Sequence, residues 1–359
     1  MGSPRLGTSS KPMKIAIIIP CYNVAETISS VLTSIGPEVY RIYCVDDASR
    51  DRTAAVVAEQ ALADYRIVLI RRGANGGVGA ATVTGYVAAL AHGADVLVKI
   101  DGDGQMDPSH IGRFVAPLLD GSADYVKGNR FFSIETVQAM PTIRIFGNAG
   151  LSLLTKLSTG YWNIFDPANG FTAIAGNVAR TLPLEKLHRR YFFESDLLFR
   201  LGINRAKIVE LPIVSFYQNE NSHLSELRCL FTFPLLHARN FFKRIAYNYF
   251  LRNFSVASLN LLVGTLLTLF GLTFGLIQWN RSAELGIPAT AGTVMLSALP
   301  FTLGIQFILS FLSHDVAMTP SEPLQTRLAG VTVLANNARP SITEGAQEPK
   351  LQTQVEHEY

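Results

Sequence analysis

Val96-Leu97-Val98-Lys99-Ile100-Asp101-Gly102-Asp103-Gly104-Gln105-Met106-Asp107-Pro108 runs from a short apolar segment straight into an acidic, glycine-rich turn. Toward the N-terminus the same change from apolar to polar recurs three times. Ile15-Ala16-Ile17-Ile18-Ile19 leads into Pro20-Cys21-Tyr22-Asn23, Arg41-Ile42-Tyr43-Cys44-Val45 into Asp46-Asp47, and Ile67-Val68-Leu69-Ile70 into Arg71-Arg72-Gly73. Helix-length stretches lie between them, at 25–35, at 53–63 and after Gly77. Strands apolar on both faces and separated by helices predict a parallel sheet covered on both sides, so the chain reads as α/β from Lys14 to about Pro212. Ligands of such sheets sit beyond the carboxyl ends of the strands. There the polar and acidic groups converge.

Of the 359 residues, 48% are hydrophobic and only 16% charged. Soluble domains carry roughly 25% charged residues, so the composition argues against a disordered or wholly soluble chain. A net charge of +3 is too balanced for a nucleic-acid binder. Cys21, Cys44 and Cys229 form no CxxC pair, and the histidines have no ligand spacing, which disfavours zinc and disulfide scaffolds and favours a reducing cytoplasm.

Outside the alternating region the chain divides by composition. Residues 1–13 read as a disordered leader, 14–228 as the α/β domain, 229–254 as amphipathic juxtamembrane helix, 255–313 as a two-helix hairpin and 314–359 as a polar, disordered tail. Within 234–253, Phe241, Phe242, Ile245, Tyr249 and Phe250 lie beside Arg239, Lys243, Arg244 and Arg252, a mixture suited to a membrane–water interface. Ser255–Ile277 and Ala289–Leu312 contain no charged residue, and each is long enough to cross a bilayer core. The basic flank before the first span predicts the α/β domain on the cytoplasmic side and the loop 278–288 outside. Tyr161 and Trp162 are candidates for the bilayer surface.

Asp101 and Asp103, one glycine apart just past a buried strand, suit a hard divalent cation such as Mg²⁺ or Mn²⁺ that bridges to a diphosphate. An ordinary Asp/Gly turn is the plainer alternative. Asp107 reads as a helix N-cap with Pro108 at the first position. Of Asp46 and Asp47, one is expected to bind a nucleoside and the other to be structural, while Asp51 caps a helix. Asn75-Gly76-Gly77-Val78-Gly79-Ala80 has the look of a phosphate-cradling loop before a helix.

These segments together, Ile19-Pro20-Cys21-Tyr22-Asn23 with Glu26, Val45-Asp46-Asp47-Ala48-Ser49-Arg50-Asp51, Asn75-x-Gly77-x-Gly79 and Asp101-Gly102-Asp103-Gly104-Gln105, resemble family 2 glycosyltransferases of the GT-A fold, which implies an α/β domain with a mixed, mostly parallel sheet. Within that family the chain is similar to the polyprenyl-phosphate glycosyltransferases, the branch of dolichol-phosphate mannose synthases and bactoprenol glucosyltransferases. The resemblance implies that Pro20, Tyr22, Asn23, Glu26, Asp46, Asp47, Asn75, Gly79, Asp101, Gly102 and Asp103 bind a UDP- or GDP-linked sugar. It makes Asp101, Asp103 and Gln105 the metal site, with Asp103 also catalytic. Gly128-Asn129-Arg130 resembles a family segment whose arginine meets phosphate, and Asp166–Phe171 an acceptor-side segment. Glu194 and Asp196 stand where the family has its catalytic acidic helix start. Tyr217–Ser222 resembles a loop that closes over substrate. Val24 and Val78 depart from the commoner Glu and Lys.

Chemistry points to the same acceptor. A sugar hydroxyl needs a general base, whereas a phosphate monoester with second pKa around 6 is already mostly a dianion. Arg130 and Arg205 are the candidate cations to hold it. The expected function is inverting transfer of one sugar to a polyprenyl phosphate at the cytoplasmic membrane face, in a bacterial inner membrane or equivalent, by a chain that is a possible homo-oligomer. The rivals are transfer to another membrane lipid or a glycan hydroxyl, and a catalytically silent membrane scaffold.

Overall fold

The computed structural model describes residues 13–132, 142–213 and 226–329. The leader, most of the tail and the Tyr217–Ser222 segment lie outside the described residues. Seven strands, β1 (Ile15–Cys21), β2 (Arg41–Asp46), β3 (Ile67–Arg71), β4 (Val96–Lys99), β5 (Tyr125–Asn129), β6 (Thr172–Ala175) and β7 (Ile208–Pro212), form one sheet in the order β3-β2-β1-β4-β6-β5-β7. All neighbours pair parallel except β6, which runs against β4 and β5. This is the mixed, mostly parallel sheet that the resemblance to the GT-A fold implies, with β6 as the one reversed strand among the described residues.

Its two faces are buried by different helices. α1 (Ile28–Thr33), α2 (Thr53–Ala63) and α4 (Ile111–Leu119) deliver Val31, Leu32, Val57, Phe114 and Leu118 to one core with Ile17, Ile19 and Val98. α3 (Val78–Ala91), the short α6 (Gly176–Ala179) and α7 (Phe193–Asn204) cover the other face with Tyr86, Ala89, Val178, Leu197 and Leu201 against Ile18, Leu97 and Tyr125. The alternation along each strand sends consecutive residues to opposite cores. Apolar side chains on both faces are the physical reason for the continuous apolar runs.

α5 (Thr142–Thr159) and α8 (Glu226–Ile245) pack beside this domain, and a π-helical turn over Ala246–Leu251 carries the chain into α9 (Val256–Leu285). α9 and α10 (Ala291–Ala317) are each long and apolar enough to cross a membrane. At 1.5 Å per residue, the 30 residues of α9 extend about 45 Å. The helix thus absorbs most of the expected 278–288 loop, because Gln278 to Leu285 contains no helix breaker and Gly286, with φ 63°, ends it. Small residues set the closeness of the pair: a Cβ on Gly264 would lie 2.9 Å from the Gly304 carbonyl oxygen, and Ser297 Oγ donates to the Gly271 carbonyl at 2.9 Å.

After α10 the chain returns to the α/β domain rather than leaving as a free tail at residue 314. The buried Asp124 carboxylate accepts from the amides of Leu324 (2.6 Å) and Gln325 (2.8 Å), and Leu324 and Leu328 pack on the second core. Arg244, expected on a lipid-facing basic surface, is buried instead. Its guanidinium donates to Asp315 on α10 at 2.6 and 3.0 Å and to the Leu157 carbonyl on α5. Trp162 Nε1 joins the same carboxylate at 2.9 Å, whereas Tyr161 is buried with its hydroxyl on the Ala206 carbonyl (2.6 Å), away from any surface.

Candidate active site

Sheet register brings the loops to one edge. Cys21 lies opposite Asp46 and Asp46 opposite Arg71, while Lys99 and Lys127 both lie opposite Thr172. The carboxyl ends of β1, β2, β4 and β5 therefore meet the start of β6, where Asp166–Phe171 arrives. Pro20, exposed Tyr22 and Asn23 line this rim, with Glu26 and Asn75 exposed beside them. Asn23 takes a left-handed backbone (φ 54°), and its amide side chain accepts from Arg50 N at 2.8 Å, tying the first loop to the second. Asp46, nearly buried, accepts from Ser49 N at 3.2 Å.

The centre is a buried lysine. Lys99 Nζ lies 2.8 Å from Asp101 Oδ1 and 3.3 Å from Glu194 Oε1, and donates to the Gly170 carbonyl at 3.3 Å. Burial alone would push its proton off, but Asp101 and Glu194 outweigh that and hold the ammonium well above its ordinary pKa. Gly170 is required beside the pair: a Cβ there would overlap Asp101 Oδ2 and stand 2.8 Å from Lys99 Nζ. Lys127, the second lysine of the row, is pulled down to about 8 by burial against weaker attraction from Asp166 and Glu194. Of the two, Lys99 holds its proton more firmly at the base of the site.

Asp103 accepts from Gln105 N at 3.0 Å, folding the turn over itself, and Thr27 Oγ1 donates to the Gly102 carbonyl at 2.7 Å. Asp101 and Asp103 with Gln105 are hard oxygen donors at the mouth of the site. That set fits one divalent cation of the Mg²⁺ or Mn²⁺ type, which these residues would hold only together with oxygens from a substrate or water. Among the described residues there is no group of three or more His, Cys, Asp or Glu side chains that could hold a metal alone. Asp107 is the expected N-cap, accepting from Ser109 N at 2.9 Å.

Several expected site residues have other work. Asp47 is buried, ion-paired with Arg72, and accepts from Gly76 N (3.0 Å) and Gly77 N (2.7 Å). The amides of Gly76 and Gly77 are thereby turned onto a carboxylate of the chain and not toward a phosphate, and Asp47 takes the structural place in the Asp46–Asp47 pair. Gly79 is a packing residue: a Cβ there would strike the His188 carbonyl and Phe193, and Ala80 N donates to the Arg189 carbonyl at 2.8 Å. This close approach seats the turn before α7 and so aims Glu194. Asp196 accepts from His188 N (3.0 Å) and Asn240 Nδ2 (3.4 Å) and pairs with Arg200 at 3.3 Å, so its oxygens tie the start of α7 to neighbouring segments. Arg130 closes a two-pronged pair on buried Asp166 at 2.8 and 2.9 Å, so its fork first fixes the Asp166–Phe171 turn. Arg205 ends α7, whose first turn holds Glu194; eleven helical steps separate them by about 16 Å. It lies too far away to hold a phosphate at Asp101.

Lys99 and Glu210 are site residues that the sequence did not single out. Glu210 Oε1 accepts from Phe165 N and Asp166 N, both at 3.0 Å, and Oε2 from Asn129 Nδ2 at 2.8 Å, which shapes the turn from β7. A lysine inside an apolar run immediately before the acidic pair was the available signal for Lys99.

A mostly parallel sheet with an acidic pair at its carboxyl edge resembles the GT-A glycosyltransferases. Residues 16–181 match the model of glycosyl transferase family 2. The UDP-N-acetylglucosamine–dolichyl-phosphate N-acetylglucosaminyltransferase of Methanococcus voltae is 32% identical over 216 residues, covering 56% of this chain and 86% of that protein. The polyprenol monophosphomannose synthase of Mycolicibacterium smegmatis is 32% identical over 202 residues, covering 55% of this chain and 75% of its own. Among solved structures, glucosyl-3-phosphoglycerate synthase of Mycobacterium tuberculosis with Mn²⁺, UDP and glucosyl-3-phosphoglycerate is 22% identical, at a TM-score of 0.46 over 65% of this chain and 80% of that one. The chain belongs to glycosyl transferase family 2 and is a glycosyltransferase.

Proposed function

We propose that the protein transfers a single sugar, with inversion, from a UDP- or GDP-linked donor to a polyprenyl phosphate at the cytoplasmic face of a membrane that α9 and α10 span. The observation that carries this reading is the Lys99–Asp101–Glu194 cluster at the sheet edge of a domain tied to an apolar hairpin. Glu194 is held by an ammonium and Asp196 by Arg200, which leaves both poorly suited to deprotonate an alcohol. A phosphate monoester needs no such base. Its oxygen forms a bond to the anomeric carbon as the bond from that carbon to the donor diphosphate breaks, and the nucleoside diphosphate leaves with the electron pair. Asp101, Asp103 and Gln105 would hold a divalent cation, which supplies charge neutralisation of that leaving group. The exposed Tyr22 and Asn23, with Asp46 behind them, would meet the nucleoside. The relatives named above act, by their names, on lipid-linked phosphates, which supports the acceptor class.

The test is incubation of the purified full chain with labelled UDP- and GDP-sugars and undecaprenyl or dolichyl phosphate. Label should enter the lipid fraction, vanish with EDTA and vanish in Asp103→Ala. Label in free polyprenol as readily as in its phosphate, or none with any donor, would refute the assignment.

A further inference from the structure

The end of α7 and the foot of the hairpin enclose a polar pocket lined by Thr159, Gly160, Arg205, Asn248, Asn253 and His314. Arg244 and Asp315 also border it but satisfy one another. Three observations single the pocket out. Arg205 adopts a left-handed backbone, φ 56°, uncommon outside glycine and asparagine. It has no acidic partner among the described residues, and burial followed by repulsion from Arg252 and Arg327 holds its guanidinium below its ordinary pKa. Asn248 Oδ1 is buried without a hydrogen-bond partner. Positive charge and polar side-chain groups thus converge on a space that the chain's own anions do not fill.

Position narrows the ligand. Ser255, which caps α9, and His314 to Met318, where α10 ends, stand at the pocket wall. If the hairpin spans a bilayer, as proposed above, this is the level of lipid phosphates. The separation of about 16 Å from Glu194 along α7 sets the pocket apart from the reaction centre. We infer that Arg205, with Arg252 beside it and Asn248 and Asn253 as polar partners, forms a second phosphate-binding site that takes the headgroup of an anionic membrane lipid or a free phosphate. A guanidinium meets phosphate oxygens with two parallel N–H donors, and an anion there would relieve the crowding of arginines.

The full chain, purified in detergent and stripped of lipid, is titrated with phosphatidylglycerol, phosphatidylcholine and inorganic phosphate, with adducts read by native mass spectrometry. Wild type and Arg113→Gln, an exposed arginine on α4, should retain phosphatidylglycerol in preference to phosphatidylcholine. Arg205→Gln should bind it about tenfold more weakly or worse, as expected for loss of a charged hydrogen bond. Asn253→Asp, an exposed change that sets a carboxylate at the pocket, should also abolish retention if Arg205→Gln melts early. Displacement of the lipid by millimolar phosphate identifies a small-anion site; lipid retention unaffected by phosphate identifies a headgroup site. Equal phosphatidylglycerol binding by wild type and both pocket variants would overturn the inference. Sugar transfer is measured in the same preparations: failed transfer with Arg205-dependent lipid binding removes the proposed function and leaves the site standing, and the reverse result does the opposite.

Discussion

At the residue scale, one buried ammonium joins two carboxylates that come from elements far apart in sequence. Lys99, the last residue of β4, fixes Asp101 from the turn that follows and Glu194 from α7, and Gly170 leaves room for the Lys99–Asp101 pair. A methionine in its place fits the volume but frees the half-buried Asp101 and leaves the buried Glu194 without its cation. Partners behind a metal ligand typically carry about 10- to 100-fold in metal affinity or activity. Lys99→Met should therefore lower the initial transfer rate by that range and raise the Mn²⁺ concentration needed for half-maximal rate. A rate and metal requirement equal to wild type would contradict the role. Glu194→Gln should lower turnover, whereas Asp196→Asn should lower the melting temperature with smaller loss of turnover in the folded fraction. The reverse order would return the catalytic role to Asp196. Motifs located the acidic pair and the Glu194 region because those residues are local in sequence. They did not separate Asp46 from Asp47 or Glu194 from Asp196, since only the tertiary fold shows which oxygens Gly76, Gly77, His188 and Arg200 consume.

At the scale of elements, the periodicity gave the strands and the first helices because β1, β2 and β4 are buried on both faces and therefore apolar throughout. A mixed sheet was implied by the resemblance, but which strand reverses was not legible, since a four-residue buried strand such as β6 carries no mark of direction. The end of α9 was misjudged for a related reason: polar residues at 278–285 read as loop, yet they continue a helix until Gly286. α8 docks on α5 and α7 through His237, whose Nδ1 meets Ser158 Oγ at 2.8 Å and whose ring packs against Phe192. Burial pushes His237 down to about 4. Above about pH 6.5 the imidazole is neutral in both folded and unfolded chains and the shift has no effect. As pH falls from there toward 4, the unfolded chain binds the proton first and stability is lost, by about 2 kcal/mol at pH 5. Thermal melts at pH 7 and pH 5 should show a larger drop for wild type than for His237→Gln. Equal drops would show that other groups set the acid sensitivity of this docking.

For the whole molecule, the decisive feature is the charge pair that crosses from the hairpin to the catalytic domain. Asp315 on α10 receives Arg244, Trp162 and the Tyr249 hydroxyl, at 2.6 Å for the last, so three segments converge on one carboxylate. Removal of one partner from a buried pair leaves an uncompensated charge and costs about 3–5 kcal/mol. Arg244→Met should lower the melting temperature in detergent clearly, and a second change, Asp315→Leu, should recover part of it. A melting curve for Arg244→Met that overlays wild type would show that the pair is not what binds the two parts. The sequence announced a membrane hairpin and a basic flank, but not that one of those basic residues faces inward, because helical amphipathicity does not reveal a partner 71 residues away.

The return of the chain to Asp124 after the second long helix means that the hairpin is moored to the catalytic domain at both of its ends. A body held by two lines cannot swivel as one hung from a single tether can. If the hairpin spans a bilayer, as proposed, the height and tilt of the reaction centre above the lipid are built in, and an acceptor has to come to that fixed station instead of being fetched by a swinging domain.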